Sequence, residues 1–253
     1  MNYEMGVRYF ICNCLWPMDG EQKTQYASGD GNYCSNSCTE NGGKCMIHIL
    51  CADISSADKD CYHYLYEKAS PERKKQADRY RRQEDKLRCL AAYALLRRVL
   101  DSEECLIEKN EFGKPYIRGR EDFYYNLSHS GRYVVIAWGS SEIGVDVQQH
   151  DCSVDIEAIA KRFFTADEQS YIQKDLLRFY EIWTKKESYL KYTGKGLQKD
   201  LGSFSSLVPD SGIRYHHRYL EGGYSLCLCT TENQNTFELL DVQQLALEHT
   251  LED

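Results

Sequence analysis

Two amphipathic helices, one on each side of a block of strands, constrain the fold of this chain more than any other feature. From Glu84 to Leu100 the apolar residues Leu87, Leu90, Ala91, Ala94, Leu95 and Val99 recur at three and four. From Leu176 to Tyr192 a second stripe carries Leu176, Phe179, Tyr180, Trp183, Tyr189 and Leu190. Each stripe needs an apolar surface to cover it. Between them Phe123–Tyr125, Tyr133–Trp138 and Ile143–Val147 read as strands, with Gly131 and Gly139-Ser140-Ser141 as turns. Met46–Cys51 reads as an earlier strand, and Tyr224–Thr230 and Phe237–Leu240 read as strands of an antiparallel sheet. Helix-plus-strand groups therefore occur before and after about residue 143, without an obvious sequence repeat. This predicts an α+β fold of two comparable halves, residues 46–143 and 144–253.

Local punctuation supports these limits. Ser70-Pro71-Glu72 places a cap and a first-turn proline at a helix start. Thr165 and Glu168 have the spacing of a capping box, Asp101-Ser102 closes the first long helix, and Gly194 stops the later one. Residues 1–45 lack any sustained period and are rich in Gly, Asn, Ser and Cys. They are expected to be a poorly ordered N-terminal segment, and Met46 is itself a candidate start.

The chain holds 12 cysteines, five of them before Met46. Cys12-x-Cys14 is too short for the usual zinc spacing and Cys34-x-x-x-Cys38 has no tidy second pair, so zinc is not expected. Those beside apolar residues, such as Cys51, Cys89 and Cys227, read as buried free thiols. No apolar run reaches the roughly 18–20 residues of a membrane span, and Glu4 and Asn13 disfavour a signal peptide. A cytoplasmic protein is expected. The net charge of −8 argues against nucleic acid as a partner. Residues 71–98 nevertheless hold ten Lys or Arg against four Asp or Glu, which suits either a solvated helix face or a surface for anions or an acidic partner.

Several polar groups stand where chemistry could occur, each with a plainer reading beside it. Asp146 and Gln148, two apart on a strand, share one face. Asp146 follows the apolar Ile143-Gly144-Val145, so it is either a satisfied structural carboxylate or a ligand for a hard cation. Glu187 and Lys191, four apart on the later helix, could be a surface ion pair worth a few tenths of a kcal/mol. Trp183 shares their face, however, and a Glu beside a buried Trp is a better site candidate. Asn126-Leu127-Ser128-His129-Ser130-Gly131 reads as a polar connection between strands, able to offer hydroxyls, an imidazole and N–H groups to a phosphate. Phe112-Gly113-Lys114-Pro115 reads as a turn with one cation.

Their order is more telling than any one of them. Gly-Lys-Pro, Asn-x-Ser-His-Ser-Gly, Ile-Gly-Val-Asp, Phe-Phe-x-x-x-Glu and Trp-x-x-Lys-Glu-Ser-x-x-Lys-x-x-Gly-Lys-Gly-Leu follow one another from about Lys114 to Leu197. This series resembles the Sfp-type phosphopantetheinyl transferases. The resemblance covers some four-fifths of the chain, from about Met46 onward, and leaves residues 1–45 without a counterpart.

The resemblance implies two similar α+β halves packed as a pseudo-dimer, with coenzyme A and Mg²⁺ in the cleft between them. It implies Asp146 and Glu187 as metal ligands, with Glu187 also a general base and Lys191 near the phosphates. Ser128, His129, Lys114, Arg73 and Arg88 match contacts to coenzyme A. Gln148 stands where relatives often carry Glu, so its place at the ion is an expectation of its own; an amide oxygen can ligate Mg²⁺ weakly or hold a bound water. Cys89 replaces a hydroxyl found in some relatives. The implied reaction is attack by a serine of an apo acyl- or peptidyl-carrier protein on the β-phosphate of coenzyme A, releasing 3′,5′-ADP, by an enzyme expected to be a monomer. Two rivals remain at this point: a non-catalytic module binding coenzyme A or a carrier protein, and a metal-dependent phosphohydrolase.

Overall fold

The computed structural model describes residues 46–100, 106–195 and 200–247. The N-terminal segment 1–45, the helix stop at Asp101-Ser102 and the Gly-Leu end of the last motif lie outside the described residues.

The first half begins with β1 (Ile47–Asp53) and then runs through α1 (Lys59–Glu67), α2 (Pro71–Asp78) and α3 (Gln83–Leu100). A short hairpin, β2 (Ile107–Lys109) and β3 (Pro115–Ile117), leads to β4 (Tyr124–Ser130) and β5 (Tyr133–Gly139). The second half repeats the plan: β6 (Ile143–Gln149), then α4 (Ile156–Phe163), α5 (Ala166–Ile172) and α6 (Leu176–Thr193), then β7 (Arg214–Leu220) and β8 (Tyr224–Thr230). In each half the opening strand pairs antiparallel with the last strand of the closing hairpin, β1 with β5 and β6 with β8. The hairpins themselves are β4–β5 and β7–β8. Two similar α+β halves are therefore visible in the topology, although the sequence shows no repeat.

The chain then returns to the first half. β9 (Asn235–Asp241) adds to β1 in parallel, and α7 (Val242–Leu247) follows it. The expectation that the last strand continues an antiparallel sheet with Tyr224–Thr230 is corrected here. The sheets are β4-β5-β1-β9 and β6-β8-β7, and β9 belongs to the first. A parallel partner needs a crossover, and local sequence does not name it.

Strand alternation sorts the side chains into layers. Ile47, Ile49 and Cys51 of β1, with Tyr133, Val135 and Ala137 of β5, face Ile143, Val145 and Val147 of β6 and Tyr224, Leu226 and Leu228 of β8 in one core between the sheets. On the outer face of the first sheet, Leu50, Ala52, Val134 and Ile136 pack with Leu90, Leu95 and Leu96 of α3. In the second half Phe164, Phe179, Tyr180 and Trp183 form a separate aromatic core among α4, α5 and α6.

Gly144 explains how α6 comes so close to β6. A Cβ at this position would lie 1.9 Å from the Ser188 carbonyl oxygen and 2.3 Å from the Tyr192 nitrogen. Only a residue without that carbon lets strand and helix backbones touch. The contact sets Asp146, two residues on, against the last turns of α6.

The helix caps agree with the sequence. Ser70 Oγ accepts from the Arg73 N–H with Pro71 in the first turn, and Gly194 closes α6 in the left-handed region at φ 62°. Glu168 accepts from both the N–H and the hydroxyl of Thr165, at 2.9 Å each. Five of the six described cysteines are buried and unpaired, Cys152 being exposed.

The two sheets meet along a seam made of side chains. β4 and β6 are edge strands of their sheets, and neither offers the other a backbone ladder. Instead, alternate residues of β4 reach across. Asn126 Oδ1 accepts from the Val145 N–H (2.8 Å), Ser128 Oγ from the Val147 N–H (3.1 Å) and Ser130 Oγ from the Gln149 N–H (3.0 Å). The carbonyls of Ile143 and Val145 accept from Lys114 Nζ (3.2 Å) and Lys191 Nζ (3.1 Å). An edge that would otherwise leave orphan donors is thus closed without a strand partner. Asn126 to Ser130, expected as a connection, is strand for its whole length; the turn is confined to Gly131 and Arg132.

Candidate active site

The middle rung of the seam is where the titratable groups gather. Asp146 projects from β6 and is 3 % exposed. Its Oδ1 accepts from Lys191 Nζ at 2.8 Å and from Ser128 Oγ at 3.1 Å. Its Oδ2 is buried without a partner among the described residues. Lys191, in the last turn of α6, also donates to Ser128 Oγ at 3.1 Å. The Ser128 hydroxyl is fully used, with both lone pairs taken by Val147 N–H and Lys191 and its one proton given to Asp146.

Glu187 lies one turn earlier on α6, 7 % exposed, with Oε1 buried and unpartnered. Burial pushes its carboxyl up to about 8, the Asp146 charge pushes the same way, and Lys191 opposes them. The Asp146 charge felt at Glu187 puts the two carboxyls in one electrostatic neighbourhood. Burial likewise raises the Asp146 carboxyl, against the pull of Lys191 and Ser128. Two buried carboxyls, each with an oxygen that no donor among the described residues satisfies, are costly unless something else binds there. Hard oxygen donors of this kind suit Mg²⁺, which takes one or two protein carboxylates and completes its shell with phosphate and water. Among the described residues no three or more His, Cys, Asp or Glu gather in a way that could hold a metal ion by themselves.

His129 follows Ser128 on β4. Burial and the nearby cations Arg88 and Lys191 push its imidazole down to about 4. The imidazole is therefore held in its neutral form at neutral pH. Arg88 comes from α3, donates to the Gly131 carbonyl at 2.7 Å and pairs with Asp85 at 2.5 Å. It brings the first helical layer to the end of β4, beside His129. Gln148 shares the Asp146 face of β6, and its Nε2 donates to the Gln149 carbonyl at 3.3 Å, leaving Oε1 as the end that could meet a cation.

The structure does not bring every expected residue to this cluster. Lys114, at the turn of the β2–β3 hairpin, pairs with Glu142 at 2.6 Å and donates to the Ile143 and Tyr192 carbonyls. It caps the C-terminal end of α6, where a cation meets the helix dipole favourably. Arg73, on α2, is 5 % exposed; its guanidinium lies over the Tyr93 ring, 5.2 Å from the centroid, and donates to Cys89 Sγ at 3.8 Å.

Sequence reasoning missed the partner of the Phe-Phe-x-x-x-Glu motif. Glu168 and Lys186 form an ion pair at 2.8 Å, both fully buried. Lys186 also donates to the Leu201 and Phe204 carbonyls at 2.6 Å each, and Glu168 accepts from Ser206 at its N–H and hydroxyl. The only signal was that Lys186 interrupts the apolar face of α6. Asn126, the first rung of the seam, was also passed over, because its role depends on an edge strand that sequence does not locate.

Comparison with known proteins agrees with this geometry. Residues 142–247 match the 4'-phosphopantetheinyl transferase superfamily, and residues 56–141 match the N-terminal region described as 4'-phosphopantetheinyl transferase, N-terminal. Among similar proteins, 4'-phosphopantetheinyl transferase Sfp of Bacillus subtilis (strain 168) is 38% identical over 154 residues, 56% of this chain and 68% of that protein. The 4'-phosphopantetheinyl transferase gsp of Aneurinibacillus migulanus is 32% identical over 171 residues, 63% of this chain and 70% of that protein. The 4'-phosphopantetheinyl transferase ffp of Bacillus subtilis is 32% identical over 186 residues, 63% and 81% of the two chains. With both halves matched in order and the buried carboxylates lying in the second, the chain belongs to the 4'-phosphopantetheinyl transferase superfamily.

Proposed function

We infer that the chain transfers phosphopantetheine from coenzyme A to a serine of an apo acyl- or peptidyl-carrier protein, releasing 3′,5′-ADP, and that it does so with Mg²⁺ held by Asp146 and Glu187. The observation that carries the metal reading is the pair of buried, unpartnered oxygens, Asp146 Oδ2 and Glu187 Oε1, in one electrostatic neighbourhood. When bound, Mg²⁺ supplies charge neutralisation for the diphosphate. Gln148 Oε1 stands by as a weak third ligand or the holder of a water.

The reaction forms one bond between the serine oxygen and the β-phosphorus and breaks the bond from that phosphorus to the oxygen bridging to the α-phosphate. Lys191, fixed between Asp146 and the Val145 carbonyl, offers a positive charge that need not reorganise as charge builds on the leaving phosphate. Neutral His129 donates a hydrogen bond to the same region. Glu187, its carboxyl ionised when the cation is held beside it, would accept the serine proton, a contribution of roughly 10²–10⁴-fold. Arg88 and Ser128, next to His129, are the groups that would meet coenzyme A first, while Arg73 and Lys114, held away from the carboxyls, would contact it only farther along its length. Of these, Arg88 has the best supported place, since its charge reaches His129.

Among the described residues no helix is long and apolar enough to cross a membrane. The expectations of a cytoplasmic monomer and of no nucleic-acid partner are kept as part of this proposal, as is the division into 46–143 and 144–253.

Incubation with coenzyme A, Mg²⁺ and an apo carrier protein tests the function. The expected result is a carrier heavier by one phosphopantetheine group, with 3′,5′-ADP released in equal amount. An unmodified carrier would favour a binding module, and 3′,5′-ADP released without carrier would favour a phosphohydrolase.

A further inference from the structure

The metal reading concerns Asp146 and Glu187, but neither residue fixes the strand that presents Asp146. Among the described residues β6 pairs with a strand on one edge only. On its other edge, the register against β4 depends on three side-chain rungs, and the site sits on the middle one. Ser128 cannot hold that register alone, because its hydroxyl is shared among Val147, Lys191 and Asp146. The outer rung, Ser130 to Gln149, is exposed to water, which can replace it. The inner rung is different. Asn126 is 6 % exposed, its bond to the Val145 N–H is buried, and at 2.8 Å it is the shortest of the three. Val145 is gripped on both of its edge groups, its N–H by Asn126 and its carbonyl by Lys191. Asp146 is the next residue.

We propose that Asn126 is a positioning residue, whose carboxamide fixes the register of β6 across the seam and thereby sets where Asp146 meets Glu187 and Lys191. Loss of its oxygen leaves a buried N–H without a partner. The strand can then recover that bond only by shifting toward β4 or admitting water, and either moves the carboxylate. The residue type follows from the geometry. Ser suffices at positions 128 and 130, while position 126 uses the longer Asn side chain to reach the same kind of donor.

This inference rests on the metal reading above, and its test separates the two. Mn²⁺ binding is measured in the presence of coenzyme A by the loss of the free-ion paramagnetic signal, together with amide hydrogen exchange at Val145 and Val147 in metal-free protein. For Asn126→Ala the expected result is an Mn²⁺ affinity lower by about tenfold or more, the equivalent of about 1.4 kcal/mol. Exchange should be faster at Val147 as well as at Val145, because the register is shared. Asn126→Ser, too short to reach, should fall on the same side even if the alanine variant does not fold. Asn126→Asp keeps an acceptor of the same reach, so amide exchange at Val145 and Val147 should stay within a few-fold of the unaltered protein. A folded alanine or serine variant that binds Mn²⁺ within twofold of the unaltered protein, with exchange changed only at Val145, would overturn the proposal. Absence of Mn²⁺ binding by the unaltered protein would instead overturn the metal reading.

Discussion

Lys186 and Glu187 are neighbours on α6, and both lie in buried clusters of opposite charge, yet the two clusters are built differently. Around Lys186, both partners are fully buried and every group is answered: Glu168 by Thr165 and Ser206, Lys186 by the carbonyls of Leu201 and Phe204. This network ties α5, α6 and the segment 201–206 together. Around Glu187 the accounts do not close. Among the described residues Asp146 Oδ2 and Glu187 Oε1 have no partner, and one lysine serves both carboxyls. Burial alone does not distinguish a structural charge from a functional one; completeness of hydrogen bonding does.

The largest expected effect breaks the open cluster. Asp146→Ala should lower transfer by roughly 10²–10³-fold or more while the protein stays folded. A carrier-modification assay alongside thermal melting checks both halves of that statement, and a folded, fully active variant would remove Asp146 from the site. The converse change breaks the closed cluster. Lys186→Met leaves Glu168 buried without its cation and should cost about 3–5 kcal/mol of stability. Denaturant unfolding reads that loss, while the fraction still folded should keep its Mg²⁺ requirement. If Lys186→Met instead changed the Mg²⁺ requirement at unaltered stability, the assignment of the two clusters would have to be exchanged.

A gentler change sharpens the comparison. Gln148→Glu adds a carboxylate on the Asp146 face and should lower the Mg²⁺ concentration for half-maximal activity a few-fold, since charge count tunes such sites. A rise would place Gln148 away from the ion. The smallest effect concerns neither cluster. His217 on β7 lies by Glu181, Lys185 and His150, and burial holds its imidazole down to about 4. Its folded value is below the ordinary 6.5, so the unfolded chain takes up the proton first as pH falls. Stability should therefore decline between about pH 6.5 and pH 4, and His217→Phe should remove the His217 share of that decline, the share of His129 remaining. Melting curves across this range check it.

The sequence made some of this legible and hid the rest for physical reasons. The stripes of α3 and α6 showed because each covers an apolar core, and the caps at Ser70, Thr165 and Gly194 showed because few residue types do that work. β7 did not show. It is half-exposed along nearly its whole length, so Tyr215, His216, His217 and Arg218 give no apolar alternation to read. The parallel pairing of β9 with β1 joins residues nearly two hundred apart, which no local pattern encodes. Asp146, Glu187 and Lys191 could be named from the motif order, and the structure brings Asp146 and Lys191 into direct contact. The closed Lys186 network and the Asn126 rung needed coordinates, because a buried lysine and a strand-edge asparagine look like surface residues in a string of letters.

The central claim is that two carboxylates share one divalent ion. Counting Mn²⁺ bound in the presence of coenzyme A, in the unaltered protein and in Asp146→Ala and Glu187→Ala, tests it most directly. One ion per chain, with the same site lost in each single variant, is the predicted result. Retention of a full, equally tight site in either variant would contradict it.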